Sequence, residues 1–296
     1  MPSADASADA PAETGVMPLS SALLLFAGDG PQFFDDTWEW DGMQWLARNV
    51  ATSPPARYDH AMATLGGKIV LFGGSGISGY LGDTWEWDGA AWTQKNVAGP
   101  PARGGHRMAT VGNKIVLFGG SGAQDYCDTW EWDGSTWTQK SATLTIGLHC
   151  IGHALAAIGG TLYLFGGVGA ESDTWAYDGT SWTQVSTTGP VGRAFTSMTS
   201  YAGKVVLFGG EEDASHVLAD TWEWDGKQWT QLSASGPAPR WHAGMAAFQD
   251  KLVLVGGDGG SGTGWLGDTW LWDGTTWTQA NAPGPAALYV YTLAAR

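Results

Sequence analysis

Short apolar runs ended by glycine recur along the chain at nearly constant intervals. The segments 68–74, 114–120 and 204–210 each consist of Lys, four apolar residues and Gly-Gly. Runs of this length between tight turns are typical of strands that are buried on both faces. The pattern therefore predicts an all-β chain built from one repeated unit.

A second segment, Asp-Thr-Trp-x-(Trp/Tyr)-Asp-Gly-x-x-Trp, occurs once in each unit. It begins at Asp36, Asp83, Asp128, Asp173, Asp220 and Asp268, at intervals of 47, 45, 45, 47 and 48 residues. Aromatic and polar residues alternate within it, so its first two aromatic side chains share one face of a strand. Six units of this period with several short strands each indicate the blades of a β-propeller.

One unit divides into four predicted strands, here called A (57–64), B (68–72), C (84–87) and D (91–94). The dipeptide Asp88-Gly89 between C and D is present in all six units. It is the usual sequence of a two-residue turn in which both residues have positive φ, so it predicts a tight C–D hairpin. The density of tryptophan predicts that each blade stacks its aromatic face on the next.

The two ends of the chain supply different parts of one blade. Leu23 begins a strand B with no strand A before it, whereas the tail from Gly284 to Leu293 matches the strand A of other units. A C-terminal strand A joined to N-terminal strands B, C and D would remove the exposed sheet edges of the ring. The sequence predicts a single propeller domain over residues 21–296 and a disordered tether over residues 1–20.

These units resemble the kelch repeat. The resemblance rests on the double glycine after strand B and on two aromatic residues separated by six others, as in Trp85 and Trp92, and it covers about residues 22–294. The chain departs from the family pattern at Ala27-Gly28 and in having Trp where the family usually has Tyr. The resemblance implies a six-bladed kelch-type propeller whose D–A and B–C connections surround the mouth of a central channel, on the top face.

Composition excludes several classes of partner. The chain has 14 Lys and Arg against 29 Asp and Glu, a net charge of −15, which repels phosphate backbones and anionic lipids. No apolar run approaches the ~20 residues that cross a bilayer. We expect a soluble monomer with no nucleic-acid partner and no membrane span. The sequence does not predict the compartment. Residues 1–20 lack the features of a signal peptide, and the alternative is an export signal that was removed ahead of them.

Arginine recurs seventeen residues before the second glycine of the pair, at Arg57, Arg103, Arg193 and Arg240. The equivalent residues in the other two units are Cys150 and Leu288. Kelch proteins that bind acidic peptides contact them with such arginines, so the resemblance implies an electropositive funnel and an anionic ligand. The alternative is a structural pair between blades with the strand C glutamates Glu39, Glu86, Glu131 or Glu223.

Residues outside the repeat concentrate on the predicted top face. Seventeen of the 19 tryptophans belong to the repeat, and the other two, Trp241 and Trp265, fall on the top side of one blade. Together with the arginines, we expect a ligand-binding surface formed by Phe33, Tyr58, Tyr80, Tyr126, Trp241, His242 and Trp265. The expected ligand is a small molecule, a glycan or a peptide.

The histidines form two groups. Three occupy the same place in strand A and are expected to be packed and hydrogen-bonded: His60, His106 and His153. Three lie off that register and are better candidates for chemistry: His149, His216 and His242. The alternative function is therefore an enzyme of lyase, isomerase or cyclase type that uses His149, His153, His242 and Arg240 in the funnel, although no catalytic sequence motif accompanies them.

No cofactor is predicted, but a divalent metal is an alternative at two places. Glu212, His216 and Asp220 are spaced by four residues, which resembles the ligands of iron-binding specifier proteins of the kelch family in another order. Cys127 could approach Cys150, to form a disulfide, to bind a metal with His149 or His153, or to remain an unrelated thiol.

A copper site like that of galactose oxidase, using Tyr289 and Tyr291, is rejected because no thioether cysteine motif is present.

Overall fold

A computed structural model describes residues 22–29, 33–140, 150–169, 172–213, 215–232, 235–282, 284–285 and 292–296. Blades 1 and 2 contain β1 (Leu23–Asp29), β2 (Phe33–Trp40), β3 (Trp45–Arg48), β4 (Ala61–Leu65), β5 (Lys68–Gly76), β6 (Gly79–Trp87) and β7 (Trp92–Lys95). Blade 3 follows with β8 (Arg103–Gly104), β9 (Arg107–Val111), β10 (Lys114–Phe118), β11 (Ser121–Gly122), β12 (Thr129–Trp132) and β13 (Trp137–Lys140).

Blade 4 contains β14 (Ala154–Ile158), β15 (Thr161–Phe165), β16 (Thr174–Tyr177) and β17 (Trp182–Ser186). Blade 5 contains β18 (Ser197–Tyr201), β19 (Lys204–Phe208), β20 (Glu211–Asp213), β21 (His216–Val217), β22 (Thr221–Trp224) and β23 (Trp229–Leu232). Blade 6 contains β24 (Gly244–Phe248), β25 (Lys251–Val255), β26 (Thr269–Trp272) and β27 (Trp277–Ala280), and the chain ends with β28 (Leu293–Ala295).

Each blade is a four-stranded antiparallel sheet. The strand orders are β28-β1-β2-β3, β4-β5-β6-β7, β9-β10-β12-β13, β14-β15-β16-β17, β18-β19-β22-β23 and β24-β25-β26-β27. The inner strands contact one another in the cyclic order β4, β9, β14, β18, β24 and β28, and β28 contacts β4. The predicted six-bladed β-propeller is confirmed. The described residues include no helix that could span a membrane.

The C-terminal strand completes blade 1. β28 pairs with β1, with Leu293 opposite Leu25 and Ala295 opposite Leu23. The backbone N–H of Arg296 donates to the carbonyl of Ala22 at 2.9 Å. The predicted closure of the ring by a C-terminal strand A is therefore confirmed, while residues 286–291 of the predicted strand and the predicted tether lie outside the described residues.

The strand limits differ from the prediction at the top of each blade. In blade 2 the inner strand begins at Ala61 rather than at Arg57. Asp59, between them, has φ of 57°, a left-handed conformation that ends the extended backbone. β5 and β6 are longer than predicted and reach Gly76 and Gly79, because the B–C loop continues their pairing as a hairpin.

The C–D connections are not the predicted two-residue turns. In blade 2 four residues separate Trp87 from Trp92, and only Gly89 among them has positive φ. A carboxylate oxygen of Asp88 accepts the backbone N–H groups of Ala90 and Ala91 at 2.8 and 2.9 Å. The Asp88 side chain therefore accepts the backbone N–H groups of the turn, and Asp88 itself does not need a positive φ.

The Asp-Thr-Trp segment joins neighbouring blades. In each blade the threonine hydroxyl accepts the indole N–H of the strand D tryptophan in the next blade, as from Trp92 to Thr37 at 3.1 Å. The bond from Trp45 to Thr269, at 2.9 Å, completes the circle between blades 1 and 6. The last aromatic residue of strand C, such as Trp87, is fully buried in the interface. Both features explain why the repeat is rich in tryptophan.

Candidate functional site

The four repeated arginines lie beneath the top face, and each side chain is fully buried. Arg193 donates from Nη1 and Nη2 to the two carboxylate oxygens of Asp220, from Nη1 to the carbonyl of Gly209 at 3.0 Å, and from Nε to the carbonyl of Val191 at 2.9 Å. The same arrangement joins Arg57 to Asp83, Arg103 to Asp128 and Arg240 to Asp268. We call each unit an arginine clamp.

The arginine clamps argue against both roles expected for these arginines, as contacts for an anionic ligand and as partners of the strand C glutamates. Burial opposes ionisation of Asp83, but hydrogen bonds and charge from Arg57 bring the pKa of Asp83 below its usual value. The predicted partner is wrong, because the carboxylate belongs to the same blade, whereas the strand C residue Glu86 pairs with Lys68 and Lys95. A guanidinium enclosed in this way does not face the funnel, so the basis for an electropositive ring of arginines is removed.

Blade 4 has no arginine clamp, because Cys150 occupies the position of the arginine and forms a disulfide. Cys127, at the end of the B–C loop of blade 3, is bonded to Cys150 at the start of blade 4, with 5.0 Å between their Cα atoms. Of the three alternatives left open by the sequence, this is the one that the structure contains. Bonded sulfurs are not thiolate ligands, so this pair does not form the metal site considered above. His149 lies outside the described residues.

We expect Cys127→Ser combined with Cys150→Ser to lower the free energy of unfolding by about 3–4 kcal/mol, because a crosslink across a loop of this size restricts the unfolded chain. Urea denaturation of the oxidised wild-type protein and of the double variant measures the difference. The reduced wild-type protein is the matched control and should unfold like the double variant. A loss below about 1 kcal/mol would contradict a stabilising role for the bond.

The metal ligands expected around the loop of blade 5 do not converge. Asp220 is held in its arginine clamp and also accepts the indole N–H of Trp222 at 2.7 Å. His216 pairs with Asp213 at 2.8 Å, and hydrogen bonding to Asp213 raises the pKa of His216. Glu212 is exposed. Over the part of the chain that the structure describes, no three His, Cys, Asp or Glu side chains are grouped to hold a metal ion.

Two of the histidines considered for catalysis, His153 and His242, are buried. The rings of His60, His106 and His153 lie edge-on to a phenylalanine of the preceding blade. Burial, followed by the charge of Arg57, lowers the pKa of His60 to about 3. His242 stacks on Phe195 with ring centroids 4.2 Å apart, and burial lowers its pKa well below the usual value. His60 and His242 are therefore packed and neutral near pH 7, and Arg240 is engaged in its clamp.

Trp241, Asp258 and Trp265 form a row on the top of blade 6. Isolated β-bridges place Asp258 opposite Trp241 on one side and opposite Trp265 on the other. Directly opposite residues of a sheet project from the same face, so the side chains of all three residues share one face of this short sheet. Trp265 is 39% exposed, and Trp241 lies half-buried against Phe195. The two tryptophans outside the repeat are thus brought together.

A cavity of about 530 Å³ opens beside Trp241, between the B–C loops of blades 5 and 6. Glu211 and Val217 line it from blade 5, and Asp258 and residues 260–264 line it from blade 6. Burial, together with the charges of Asp213 and Asp258, raises the pKa of Glu211. We call this cavity, with the adjoining row, the tryptophan–carboxylate pocket.

Comparison with known families agrees with this architecture. The family profile described as "KLHDC2/KLHL20/DRC7 Kelch-repeats domain" matches residues 6–167 and 152–289. The chain belongs to the kelch-repeat family. A search of curated proteins found no match. The kelch propeller is a scaffold for protein interaction or ligand binding.

Sequence reasoning missed the two carboxylates of the pocket in this kelch propeller. Glu211 and Asp258 both follow the Gly-Gly pair, where blades 2 and 3 have Ser75 and Ser121. The signal was present as a departure from the repeat, but both residues resembled ordinary loop acids. Their importance depends on the contact between two successive B–C loops, which the sequence of one unit does not reveal.

The other aromatic residues expected at the site lie on other blades of the kelch propeller. Tyr80 is exposed on β6, and the backbone of Tyr58 pairs with Ser75. The ring of Tyr126 covers the guanidinium of Arg103, whose Cζ is 4.1 Å from the ring centroid. Phe33 begins β2, and its side chain is outside the description. Tyr58, Tyr80 and Tyr126 therefore belong to blades 2 and 3, and not to blade 6 with Trp241 and Trp265.

The top face of the kelch propeller carries a group of carboxylates. The seven lysines lie elsewhere, four at the first residue of a strand B, two at the last residue of a strand D and one in a C–D turn: Lys68, Lys114, Lys204, Lys251, Lys95, Lys140 and Lys227. The B–C loops and D–A bends carry carboxylates: Asp59, Asp125, Glu211, Glu212, Asp213 and Asp258. Because aspartates neutralise the clamped arginines, the described surface of the top face is acidic.

Proposed function

We propose that this kelch propeller binds a cationic ligand in the tryptophan–carboxylate pocket. The ligand is a peptide or small molecule that presents an ammonium or guanidinium group. The observation that carries the proposal is the row of Trp241, Asp258 and Trp265, in which the backbone of an acidic residue is paired with a tryptophan on each side.

The chemistry of the pocket matches such a group. A cation over an indole face gains about 0.5–2 kcal/mol, depending on how far it is desolvated. Asp258 adds a charge-assisted hydrogen bond, which is stronger than a bond between neutral groups. Glu211 experiences the negative charge of Asp213 and Asp258, and a bound cation would relieve that repulsion.

The sign of the expected ligand is opposite to the one that the sequence suggested. That expectation depended on Arg57, Arg103, Arg193 and Arg240, all of which are engaged in arginine clamps. An anion in the tryptophan–carboxylate pocket would meet two carboxylates of like charge. The charge distribution of the top face therefore favours a cation at this place.

We expect Asp258→Asn to weaken binding of a basic peptide about tenfold, because it removes the charge but keeps the size of the side chain; tenfold corresponds to about 1.4 kcal/mol. Trp241→Ala should weaken it similarly through the lost cation–aromatic contact. Surface plasmon resonance with two immobilised peptides of equal length, one containing lysine and the other glutamate, measures the effect.

The matched control is Asp125→Asn, which changes an exposed carboxylate of the B–C loop in blade 3 that is bonded to Ser121 at 2.8 Å. It should leave the affinity for the lysine peptide unchanged. Equal retention of the glutamate peptide by the wild-type protein would contradict the proposal, as would equal weakening by Asp125→Asn and Asp258→Asn.

A further inference from the structure

The tryptophan–carboxylate pocket closes where the B–C loops of blades 5 and 6 touch. A Cβ atom added to Gly260 would lie 2.7 Å from Cγ2 of Val217, so the two loops approach each other at a residue without a side chain. Gly260 also has φ of 81°, a conformation that favours glycine. The cavity, of about 530 Å³, falls within the range of about 300–1,000 Å³ that is typical of small-molecule sites. It can therefore enclose one long side chain or one small ligand.

Three carboxylate oxygens of the pocket can accept hydrogen bonds from a ligand. Oδ1 of Asp258 already accepts the backbone N–H of Gly260 at 2.7 Å. Within the described residues, Oδ2 of Asp258 and the two carboxylate oxygens of Glu211 accept no hydrogen bond. Glu211 lines the cavity from blade 5 and Asp258 from blade 6. The two carboxylates can therefore approach one bound group from different directions.

The backbone carbonyls of the loop that follows Asp258 are engaged within the loop. The carbonyl of Gly260 accepts the N–H groups of Thr263 and Gly264 at 3.1 and 3.3 Å. The carbonyl of Gly264 accepts the N–H of Gly259 at 3.0 Å. The strongest acceptors that this lining offers to a ligand are therefore the carboxylate oxygens, which are also charged.

A primary ammonium group matches these acceptors better than a guanidinium does. An ammonium has three N–H donors around one nitrogen, whereas a guanidinium has five in a rigid plane. The arginine clamp shows what this protein provides for a guanidinium, because Arg193 donates to both oxygens of one carboxylate and to two carbonyls. The pocket instead has carboxylates on two blades and engaged carbonyls. Donors of a guanidinium that find no acceptor there would cost free energy.

The apolar part of the lining favours an alkyl chain behind the charged group. Val217 and Trp241 line the cavity together with the two carboxylates. Methylene groups pack on such side chains while the charged end of the chain reaches polar partners. A quaternary ammonium would also bind an aromatic face, but it has no N–H to donate, so it would form no hydrogen bond with the carboxylate oxygens.

We propose that the tryptophan–carboxylate pocket selects a primary ammonium group on an unbranched alkyl chain, as in a lysine side chain, over a guanidinium and over a quaternary ammonium. The inference rests on the function proposed above, because it specifies which cation that pocket binds. The ammonium group bridges the carboxylates of Glu211 and Asp258, and the methylene groups contact Val217 and Trp241.

Three peptides of equal length test this selectivity, with lysine, arginine or trimethyllysine at one central position and no other difference. Isothermal titration calorimetry with the full chain measures the dissociation constant of each. We expect the lysine peptide to bind at least about tenfold more tightly than the other two. Equal or tighter binding of the arginine or trimethyllysine peptide would overturn the selectivity and leave the proposed function intact. Absence of binding by all three would contradict the proposed function, and this inference with it.

Glu211→Gln tests whether the selectivity comes from the pocket. The change keeps the size of the side chain and removes one charged acceptor, so the preference for lysine over trimethyllysine should fall at least about threefold. Glu212→Gln is the matched control, because it changes an exposed carboxylate of the same loop that does not line the cavity. The control should keep the preference of the wild-type protein. If both variants lower the preference equally, or neither does, the pocket is not its source and the proposal is wrong.

Discussion

A chain that ends at residue 291 is expected to lose more than about 5 kcal/mol of its free energy of unfolding, a large part of the total for a domain. The deleted segment contains the buried residues Leu293 and Ala294 and the pairing of β28 with β1. Loss of one buried leucine side chain alone costs about 2–5 kcal/mol. The deletion also leaves the edge of β1 unpaired and separates blade 1 from the inner strands of blades 2 and 6.

Thermal and urea denaturation of the truncated and full chains measure this effect. Arg296→Ala is the matched control, because it keeps β28 and its pairing with β1 while it removes a terminal side chain that donates to the carbonyl of Asp88. The control should lose less than about 1 kcal/mol. If the truncated chain melts within a few degrees of the full one, the ring does not depend on the C-terminal strand.

Arg193→Met is expected to lower the free energy of unfolding by about 3–5 kcal/mol, the usual cost of breaking one side of a buried ion pair. The change leaves the carboxylate of Asp220 without its cation and the carbonyls of Gly209 and Val191 without a side-chain donor. Hydrogen bonds and charge from Arg193 also hold the pKa of Asp220 below its usual value, against the effect of burial. Urea denaturation at neutral pH measures the loss.

Two further variants separate the clamp from general effects of lost charge. Lys204→Met removes a half-exposed cation of the same blade, which pairs with Glu223, and should cost less than about 1 kcal/mol. Asp220→Asn combined with Arg193→Met should recover part of the stability, since it removes the orphaned charge. If the Arg193→Met protein is as stable as the wild type but no longer binds ligand, the arginine contacts the ligand, and the structural role of the arginine clamp is wrong.

The sequence by itself determined the architecture of this protein. The period of the Asp-Thr-Trp segment gave the number of blades, and the missing strand before Leu23 gave the closure by the tail. Both predictions succeeded because a strand must bury its apolar faces and a ring must leave no unpaired edge, and these demands act on the pattern of residues along the chain. The sequence also singled out Trp241 and Trp265, because they alone among the tryptophans fill no position of the repeat.

The tertiary structure decided which of the recurring polar residues belong to the scaffold and which belong to a site. The sequence showed Arg240 beside Trp241, but only the fold shows that the guanidinium points inward to Asp268, 28 residues later, while the indole lies beside Asp258. It likewise joined Cys127 to Cys150 and brought Glu211 near Asp258. The physical reason is that hydrogen bonding, desolvation and charge repulsion depend on distances between different strands and blades, which the order of residues within one unit does not specify.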